Sequence, residues 1–325
     1  MSANNNEADE EMRCASCGIA ANNDIKLKKC TACYLVRYCG VKCQKDHWKE
    51  HKKECKRRAA ELRECKKRAA ELRDELLFKQ PETTHFGDCP ICCIPLPLDA
   101  NKSTMMPCCS KMICEGCNYA NKKREAEVGH QQSCPFCRHP TPASQVEAQM
   151  ITMKRVEAND PVALRQAGIR RGMEGDHKGA VEYFTKAATL GDVVAHFQLS
   201  WSYGDGEGVE KDEKKELYHL EEAAIGGHPG ARCILGGLEW KNGRFERGIR
   251  HYIIASKLGD DKSLEVVKQG HQRGFVSKVD FSSTIRAHKA AVDATKSPQR
   301  DAADADVDFC DSKTFWAPSR DCDAS

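Results

Sequence analysis

The second half of the chain repeats a helical pattern of apolar and small side chains. Three successive segments keep the spacing i, i+3 and i+7, which is one face of a helix. The positions are Val181, Phe184 and Ala188, then Leu217, Leu220 and Ala224, and then Ile249, Tyr252 and Ser256. Each segment ends at a glycine, in "KAATLGD" (186–192), "EAAIGGH" (222–228) and "IASKLGD" (254–260). Glycine is the usual left-handed stop of a helix.

A second set of helices is predicted between these segments. We place their starts at Ala163, Ala195 and Ala231. Two helices in each unit of 32 to 36 residues predict an α-solenoid over residues 160–295. The fourth unit, at about 263–294, lacks the final glycine, as expected of a terminal cap.

A charged helix is predicted upstream of the solenoid. "CKRRAAELRE" (55–64) is followed by the near copy "CKKRAAELRD" (65–74), and both are rich in strong helix formers. We predict one helix from about Gln44 to Lys79, of which residues 57–80 form a charged helical linker. Eight acidic residues interrupt its basic run, so the pattern favours a solvated spacer over a nucleic-acid contact.

Cysteine is the most informative residue type in the composition. The 325-residue chain has 20 cysteines, and seventeen of them precede residue 138. Residues 1–11 are polar and acidic, so we expect them to be disordered and to be neither a signal nor a transit peptide. No run approaches the ~18 apolar residues of a membrane span, so we expect an intracellular protein of the cytoplasm or nucleus. In a reducing compartment, metal ligation is the leading use of so many thiols.

The first group of cysteines has the spacing of two metal sites. Its eight candidate ligands are Cys14, Cys17, Cys30, Cys33, Cys39, Cys43, His51 and Cys55. Two cysteines with two residues between them lie on one turn, where both thiolates reach one zinc ion at ~2.3 Å. His51 and Cys55 stand four apart and share a helix face. Cys65, which copies Cys55, has no histidine four residues earlier, so we expect a free thiol.

Residues 12–56 resemble a MYND-type zinc finger in the order of the ligands, in "RYCGVKCQ" and in "HWKEHKKEC". The resemblance implies an interleaved pairing, with one ion on Cys14, Cys17, Cys39 and Cys43 and the other on Cys30, Cys33, His51 and Cys55. It also implies a Pro-rich peptide as ligand, which would involve Gln44 and Trp48. Two simpler interpretations stay open, namely Trp48 as core packing in a small domain and His47 as a surface residue rather than a ligand.

A second group of eight candidate ligands follows. Its members are Cys89, Cys92, Cys108, Cys109, Cys114, Cys117, Cys134 and Cys137. Residues 86–142 resemble a RING finger of the all-Cys variant, because Lys111 occupies the usual histidine position and Cys108 restores the count. The resemblance implies one ion on Cys89, Cys92, Cys114 and Cys117 and the other on Cys108, Cys109, Cys134 and Cys137. Adjacent ligands on one ion demand unusual geometry at Cys108 and Cys109, and Cys93 could take part only by displacing Cys92.

The two groups together predict about four structural zinc ions. Each such ion typically contributes an apparent ~10–16 kcal/mol to folding, so modules this small need the metal to fold. Because four protein ligands per ion leave no position for water, hydrolytic catalysis by these ions is not expected.

A RING finger implies a ubiquitin-conjugating enzyme as partner. The residues carried over are Ile91 in the first Cys-x2-Cys turn, Pro135 in the last one and Arg138 just after the final ligand. An arginine there could hydrogen-bond both partners through its planar fork. The segment before the last cysteine pair departs from the family, since it offers Tyr119 and Val128 where members often carry Trp or Leu.

The solenoid resembles Sel-1-like repeats, relatives of the tetratricopeptide repeat, most clearly in "AHFQLSWSYGDGEGVEKDEKKELYHLEEAAIGGHPGA". The resemblance implies a concave surface that binds other proteins. Residues 143–159 are predicted to be a linker, and the acidic residues 296–325 are predicted to be a disordered tail.

The whole chain is predicted to be multidomain, with two small cross-brace zinc modules followed by an all-α solenoid. We favour a RING-type ubiquitin-protein ligase whose finger and repeats hold an unknown substrate or partner. The alternative is a non-enzymatic, zinc-dependent scaffold that binds proteins through all three modules. We reject a MYND-containing lysine methyltransferase, since no segment resembles its catalytic core. Nucleic-acid binding is kept as a fourth and less favoured hypothesis, since no basic stripe has interleaved aromatics.

Overall fold

The computed structural model describes residues 13–22 and 24–306. The chain divides between Leu76 and Leu77 into two units. The predictions of disorder for residues 1–11 and for residues 307–325 lie outside the described part. None of the described helices has the length and apolarity needed to cross a membrane.

The first unit is a small hairpin followed by helices. Its elements are strand β1 (Lys28–Lys29), strand β2 (Arg37–Tyr38), helix α1 (Val41–Asp46) and helix α2 (Trp48–Leu77). The two strands pair antiparallel, with Lys28 opposite Tyr38. The predicted single helix from Gln44 to Lys79 is wrong in detail, because the helical segment begins earlier, is interrupted at His47 and ends at Leu77.

The interior of this unit consists mainly of cysteines. Its buried apolar residues are Cys14, Cys30, Cys33, Tyr38 and Cys55, each at most 3% exposed. Such a cluster buries too little apolar area to hold a fold by itself. The thiols must therefore stabilise the unit by binding metal.

The second unit begins with the second cysteine-rich module. Its elements are a 3₁₀ turn (Ala100–Lys102), strand β3 (Ser103–Met106), strand β4 (Lys111–Cys114) and helix α3 (Glu115–Glu127). The strands form an antiparallel hairpin in which Ser103 lies opposite Cys114. Leu96 and Ile113 are 2% and 0% exposed and pack among the cysteines of the module.

The rest of this unit, as far as residue 306, consists mainly of helices. Its helices are α4 (Gln145–Glu157), α5 (Pro161–Met173), α6 (His177–Thr189), α7 (Val193–Asp205), α8 (Glu213–Ile225), α9 (Pro229–Lys241), α10 (Phe245–Lys257), α11 (Asp261–Gln272), α12 (Lys278–Ala294) and α13 (Pro298–Ala305). From α5 to α12 each helix contacts the next one. The predicted solenoid of helix pairs is confirmed.

The helix ends of the repeats follow the signals in the sequence. Gly191, Gly227 and Gly259 have φ angles of 88°, 83° and 97°, the left-handed conformation that ends a helix. The starts fall two residues earlier than predicted, because a side chain just ahead accepts a backbone N–H and caps the helix. The caps are Asp160 before α5, Asp192 before α7 and His228 before α9.

Two segments outside the repeats are helical although no helix is predicted there. Residues 143–159, predicted to be a linker, contain α4, which Ser144 caps and which contacts α5. The prediction of disorder from residue 296 onward is wrong for Pro298–Ala305, which form α13. Ser297 caps this helix and proline stands at its first position, and both are start signals despite the acidic composition.

Small residues let paired helices approach closely. At the crossing of α5 and α6, a Cβ atom on Gly168 would lie 2.6 Å from Cε1 of Phe184 and 3.2 Å from the carbonyl oxygen of Ala180. Phe184 is 5% exposed and belongs to the core of this pair. A Cβ atom on Gly172, one turn later, would meet only the Ala180 side chain, at 3.8 Å. The first glycine is therefore required by packing and the second is not.

We predict opposite effects for alanine at these two glycines. Gly168→Ala must displace the Phe184 ring and should lower the free energy of unfolding by about 1–3 kcal/mol, as overpacking does. Gly172→Ala should raise it by up to about 1 kcal/mol, because alanine is the better helix former. Urea unfolding followed by tryptophan fluorescence measures both changes. Equal effects of the two substitutions would contradict the crossing geometry.

An aromatic stack ties the segment before the second module to the repeats. The rings of His85 and His228 lie 4.2 Å apart, and those of His228 and Phe197 lie 4.1 Å apart. The backbone N–H of His85 donates to the carbonyl oxygen of Gly227 at 3.1 Å. Burial lowers the pKa of His85 to about 3, and the positive charge of Arg165 acts in the same direction. The stack therefore holds a neutral imidazole.

Acid should weaken the fold of this unit through His85. The unfolded chain protonates this side chain below its ordinary pKa of 6.5, whereas the folded chain does so only near its lowered pKa of about 3. The stabilisation is complete above pH 6.5 and is lost as the pH falls towards 3, with a loss of about 2 kcal/mol at pH 5.

The matched variant is His85→Phe, which keeps an aromatic ring but does not titrate. Between pH 8 and pH 5 its free energy of unfolding should fall by about 2 kcal/mol less than that of the wild type. All other titrating groups, including the metal ligands, are shared by the two proteins and cancel in the comparison, except for His228, whose pKa the positive charge of His85 lowers. Removing that charge acts in the same direction as the expected difference. The same pH slope for both proteins would show that His85 does not carry the effect.

Candidate metal centres

The structure gathers the sixteen candidate ligands into four groups, in each of which the ligand atoms lie within 4.8 Å of one another. Site 1 is Cys14, Cys17, Cys39 and Cys43; site 2 is Cys30, Cys33, His51 and Cys55; site 3 is Cys89, Cys92, Cys114 and Cys117; and site 4 is Cys108, Cys109, Cys134 and Cys137. These groups are the sets that the two resemblances imply. In each module the first and third ligand pairs share one site and the second and fourth share the other.

The spacing of the ligand atoms fits zinc. Four thiolates at ~2.3 Å from one ion in a tetrahedron stand about 3.8 Å from one another. The Sγ–Sγ distances are 3.6 Å for Cys17 and Cys39, 3.7 Å for Cys30 and Cys55, 3.8 Å for Cys92 and Cys114, and 3.8 Å for Cys109 and Cys134. The described part of the chain thus has four candidate zinc sites, as many as the sequence predicts.

Four of the five Cys-x2-Cys turns, here called knuckles, are closed by the backbone in the same way, and the fifth, from Cys114 to Cys117, opens helix α3. The residue after the second cysteine donates its N–H to the carbonyl oxygen of the first cysteine, at 2.8–2.9 Å, in four knuckles. That residue adopts a left-handed conformation, at Gly18 (φ 75°), Tyr34 (59°), Cys93 (55°) and Arg138 (62°). The turn directs both sulfur atoms to one side, where one ion can bind both.

The adjacent cysteines of site 4 sit on a related turn. The N–H of Ser110 donates to the carbonyl oxygen of Met106 at 2.8 Å, and Ser110 is left-handed with φ 57°. This turn follows β3 directly. Both sulfur atoms reach the site, since Cys108 Sγ lies 3.2 Å from that of Cys137 and Cys109 also belongs to the group. This turn provides the unusual geometry that two adjacent cysteines need in order to bind one ion.

The backbone of the knuckles favours ionised sulfur. Burial would raise the pKa of the Cys14 thiol, but backbone N–H donors, of which Cys17 is the strongest, lower it to about 6. In site 3, the hydrogen bond from Cys114 is the largest cause that lowers the pKa of Cys89 to about 4. Thiolate is the form that binds zinc. One thiol in each of these two sites is thus readily ionised, whereas the pKa of neighbours such as Cys39 and Cys117 is raised to about 12, so these thiols release their protons as the ion binds.

A second histidine supports site 2 without belonging to it. His51 Nε2 lies 3.2 Å from Cys33 Sγ, and the His51 ring stacks on that of His47 with a centroid distance of 5.8 Å. His47 Nδ1 in turn lies 3.1 Å from the hydroxyl oxygen of Tyr38, which is 3% exposed. His47 is thus a neighbour that orients a ligand ring. The sequence feature that could have indicated this role is the spacing of four residues between His47 and the ligand His51.

The extra thiols lie outside the sites. Cys65 and Cys93 are exposed, and neither belongs to any of the four groups. Cys65 lies on α2, ten positions after the ligand that it copies. Cys93 adopts the left-handed conformation after its knuckle. Its thiol therefore lies outside the site to which Cys92 contributes its sulfur atom.

The five predicted partner-binding residues differ in exposure. Ile91 is 41% exposed, Trp48 is 39% exposed, Arg138 is exposed, and Gln44 and Pro135 are half-buried. Trp48 is too open to serve as the core of the first module. Arg138 is held in place, because its Nη1 donates to Oδ1 of Asn121 on α3 at 2.9 Å.

Comparison with known proteins identifies two of the three parts. Residues 8–55 match the family model of the MYND finger, and residues 163–192 and 193–228 match that of the Sel1 repeat. The chain carries a MYND finger and Sel1 repeats. The finger contains sites 1 and 2, and the two matched repeats correspond to α5 with α6 and α7 with α8.

Two curated proteins share short segments with this chain. The chain is similar to Histone-lysine N-methyltransferase ASHR1 of Arabidopsis thaliana, with 51% identity over 51 residues, which are 16% of this chain and 10% of that protein. It is also similar to Histone-lysine N-methyltransferase SMYD3 of Homo sapiens, with 52% identity over 31 residues, which are 10% of this chain and 7% of that protein. The matches span a tenth or less of these relatives.

Two solved structures resemble parts of the chain. A Sel1 repeat protein from Oxalobacter formigenes aligns with a TM-score of 0.40 and 19% identity over 55% of this chain and 74% of that one. The protective antigen c5321 of uropathogenic Escherichia coli, which has an SLR fold, aligns with a TM-score of 0.36 and 21% identity over 56% of this chain and 38% of that one.

We predict that neighbouring cysteines differ sharply in their effect on metal content. Cys92→Ser should lower zinc from about four ions per chain to about three, because site 3 loses a ligand. Cys93→Ser, one residue later, should leave the content unchanged. Elemental analysis of the purified proteins measures both, and Co²⁺ substitution reports the thiolate sites by their absorption. Equal metal loss in the two variants would mean that site 3 is wrongly assigned.

Proposed function

We propose that this chain is a zinc-dependent protein-interaction protein whose second module acts as a RING-type ubiquitin-protein ligase. In this proposal, the second module recruits a ubiquitin-conjugating enzyme, and the MYND finger and the repeats hold the substrate or another partner. The observation that carries it is that Ile91 and Arg138, which flank different zinc sites of one module, both face solvent.

The two zinc loops of this module each present an apolar side chain. Ile91 lies between two ligands of site 3 and is 41% exposed, and Phe136 lies between two ligands of site 4 and is 44% exposed. A zinc ion bound by the two cysteines of a loop would fix the backbone of that loop. Exposed apolar side chains held in place lose little conformational entropy on binding, which favours a protein contact.

Arg138 supplies the polar part of the proposed contact. It follows the last ligand of site 4, and its bond to Asn121 aims the guanidinium without burying it. A guanidinium has five N–H donors in a planar fork, so it can bond a partner while it keeps this contact. We infer that it bridges the conjugating enzyme and its ubiquitin.

The other two parts are proposed to bind proteins. Trp48, at 39% exposed, lies three residues before a ligand of site 2, and an exposed aromatic suits a Pro-rich peptide. Trp201 and Tyr218 are 39% and 51% exposed on α7 and α8 of the second repeat. No disulfide joins the cysteines in the described part of the chain, in keeping with a reducing intracellular compartment.

The ligase is tested by reconstitution. Zinc-loaded protein is incubated with ubiquitin, activating enzyme, ATP and a panel of conjugating enzymes, and ubiquitin chains are followed by immunoblot. We expect chains that chelation abolishes and that Ile91→Ala and Arg138→Ala reduce at least tenfold, since each removes a contact at the centre of the interface.

The matched controls lie elsewhere on the chain. Ile19 is also 41% exposed and follows a knuckle of the MYND finger, and Arg286 is exposed on α12. Ile19→Ala and Arg286→Ala should leave chain formation unchanged. No chains with any conjugating enzyme, or equal losses in test and control variants, would refute the ligase. A protein that then still bound partners in a zinc-dependent way would be the non-enzymatic scaffold.

A further inference from the structure

The last described helix packs against the second module. Helix α13 follows α12 and contacts α3. A Cβ atom on Gly116 of α3 would lie 2.8 Å from the backbone nitrogen of Arg300 and 2.9 Å from the carbonyl carbon of Gln299. Lys102 Nζ bonds the carboxylate of Asp304 at 2.8 Å on the same side. The backbones of α3 and α13 therefore approach as closely as glycine allows.

Arg300 of α13 bonds the loop after the first knuckle of the module. It is 7% exposed. Its Nη1 donates to the carbonyl oxygens of Pro95 at 2.7 Å and Thr295 at 2.6 Å, and its Nη2 donates to that of Ile94 at 3.1 Å. Nη2 also lies 3.7 Å from Cys92 Sγ, a ligand of site 3.

A neighbour on α13 contacts the opposite knuckle of the same site. The Sγ of Cys117 lies 4.0 Å from Oε1 of Gln299. Helix α13 thus touches a ligand from each cysteine pair of site 3, Cys92 from the first pair and Cys117 from the second. The segment between Cys92 and Leu96 is fixed by the same guanidinium through its carbonyl oxygens.

The charges of the two groups are complementary. A zinc ion with four thiolates carries a net charge of −2, and site 3 consists of cysteines alone. A buried guanidinium without a counter-charge is strongly destabilising, and the hydrogen-bond partners of Arg300 given above are carbonyl oxygens and a thiol, with no carboxylate among them. The metal–thiolate centre is the anion that balances Arg300, and Arg300 is the cation that balances the centre.

We propose that Arg300 is a positioning residue for the zinc of site 3. Carried to the module by α13, it offsets the charge of the metal–thiolate centre and fixes the loop after Cys92. Docking of α13 and retention of zinc at site 3 then depend on each other, because a coupling free energy acts equally in both directions. Helix α13 is in this sense a part of the second module, although it begins 156 residues beyond the end of the RING-like segment at residue 142.

The test measures each cysteine separately in the zinc-loaded, full-length protein. Chelator and N-ethylmaleimide are added together, and mass spectrometry follows the labelling of every cysteine. We expect Arg300→Gln to speed labelling of the four site 3 cysteines by 10–100-fold, the range in which residues that support metal ligands alter affinity. Labelling of sites 1, 2 and 4 should change less than twofold.

Further variants separate the charge from the helix. Arg300→Lys keeps the cation but lacks the planar fork, so its site 3 labelling should be intermediate. Arg286→Gln, on the exposed face of α12, should behave like the wild type. A chain that ends after Ser297 should match Arg300→Gln, and a chain that ends after Asp306, which keeps α13, should match the wild type.

The reverse direction is measured by proteolysis. Trypsin should cut after Arg300 faster in Cys92→Ser than in Cys93→Ser, because loss of zinc from site 3 releases α13. Wild-type labelling of site 3 in Arg300→Gln would overturn the proposal. So would equal labelling of all four sites, which would make Arg300 a general support of the fold. Neither result depends on whether the protein forms ubiquitin chains.

Discussion

The bond between zinc and ionised sulfur is the constraint on which both cysteine-rich modules depend. Their buried residues are largely the ligands themselves, with few apolar side chains such as Leu96 and Ile113. An apolar core of that size offsets little of the conformational entropy lost on folding. Backbone N–H groups turned towards the sulfur atoms help to lower the pKa of one thiol in each module, Cys14 in the first and Cys89 in the second. The metal would then link strand, turn and helix beside a few polar contacts, such as those of Arg138 with Asn121 and Ser133 with Glu125.

Ligand spacing predicts this part of the fold well because coordination is local and stringent. A pair such as Cys134 and Cys137 can meet one ion only on a tight turn, so two positions in the sequence define a conformation. Glycine stops and apolar periodicity locate the repeats for a similar reason, since both act within a few residues.

What the sequence does not predict depends on contacts between distant segments. The role of α13 requires knowing that Arg300 reaches Cys92 across 208 positions. The role of His47 depends on Tyr38, which lies on a strand before the helix. Composition is also misleading where a few capping residues decide whether a helix begins. The acidic composition of residues 296–325 hides the helix start signal of Ser297 and Pro298.

The second unit joins metal chemistry and helix packing at both ends of its module. At one end His85 stacks on His228 of the repeats, and at the other Arg300 lies beside site 3. Domains of one chain usually move relative to one another unless they share a substantial interface. Here the module and the repeats share buried side chains, so a change in one is transmitted to the other through packed groups.

A residue in the left-handed conformation follows four of the knuckles, and it determines which side chains are exposed beside the candidate metal sites. At Gly18 the backbone requirement and the residue agree. At Tyr34, Cys93 and Arg138 a side chain with a Cβ occupies the same conformation, at a cost of about 1–2 kcal/mol. All three side chains are exposed. Glycine would adopt this conformation at lower cost, so at these three positions the chain accepts backbone strain and displays a functional side chain beside a candidate metal site.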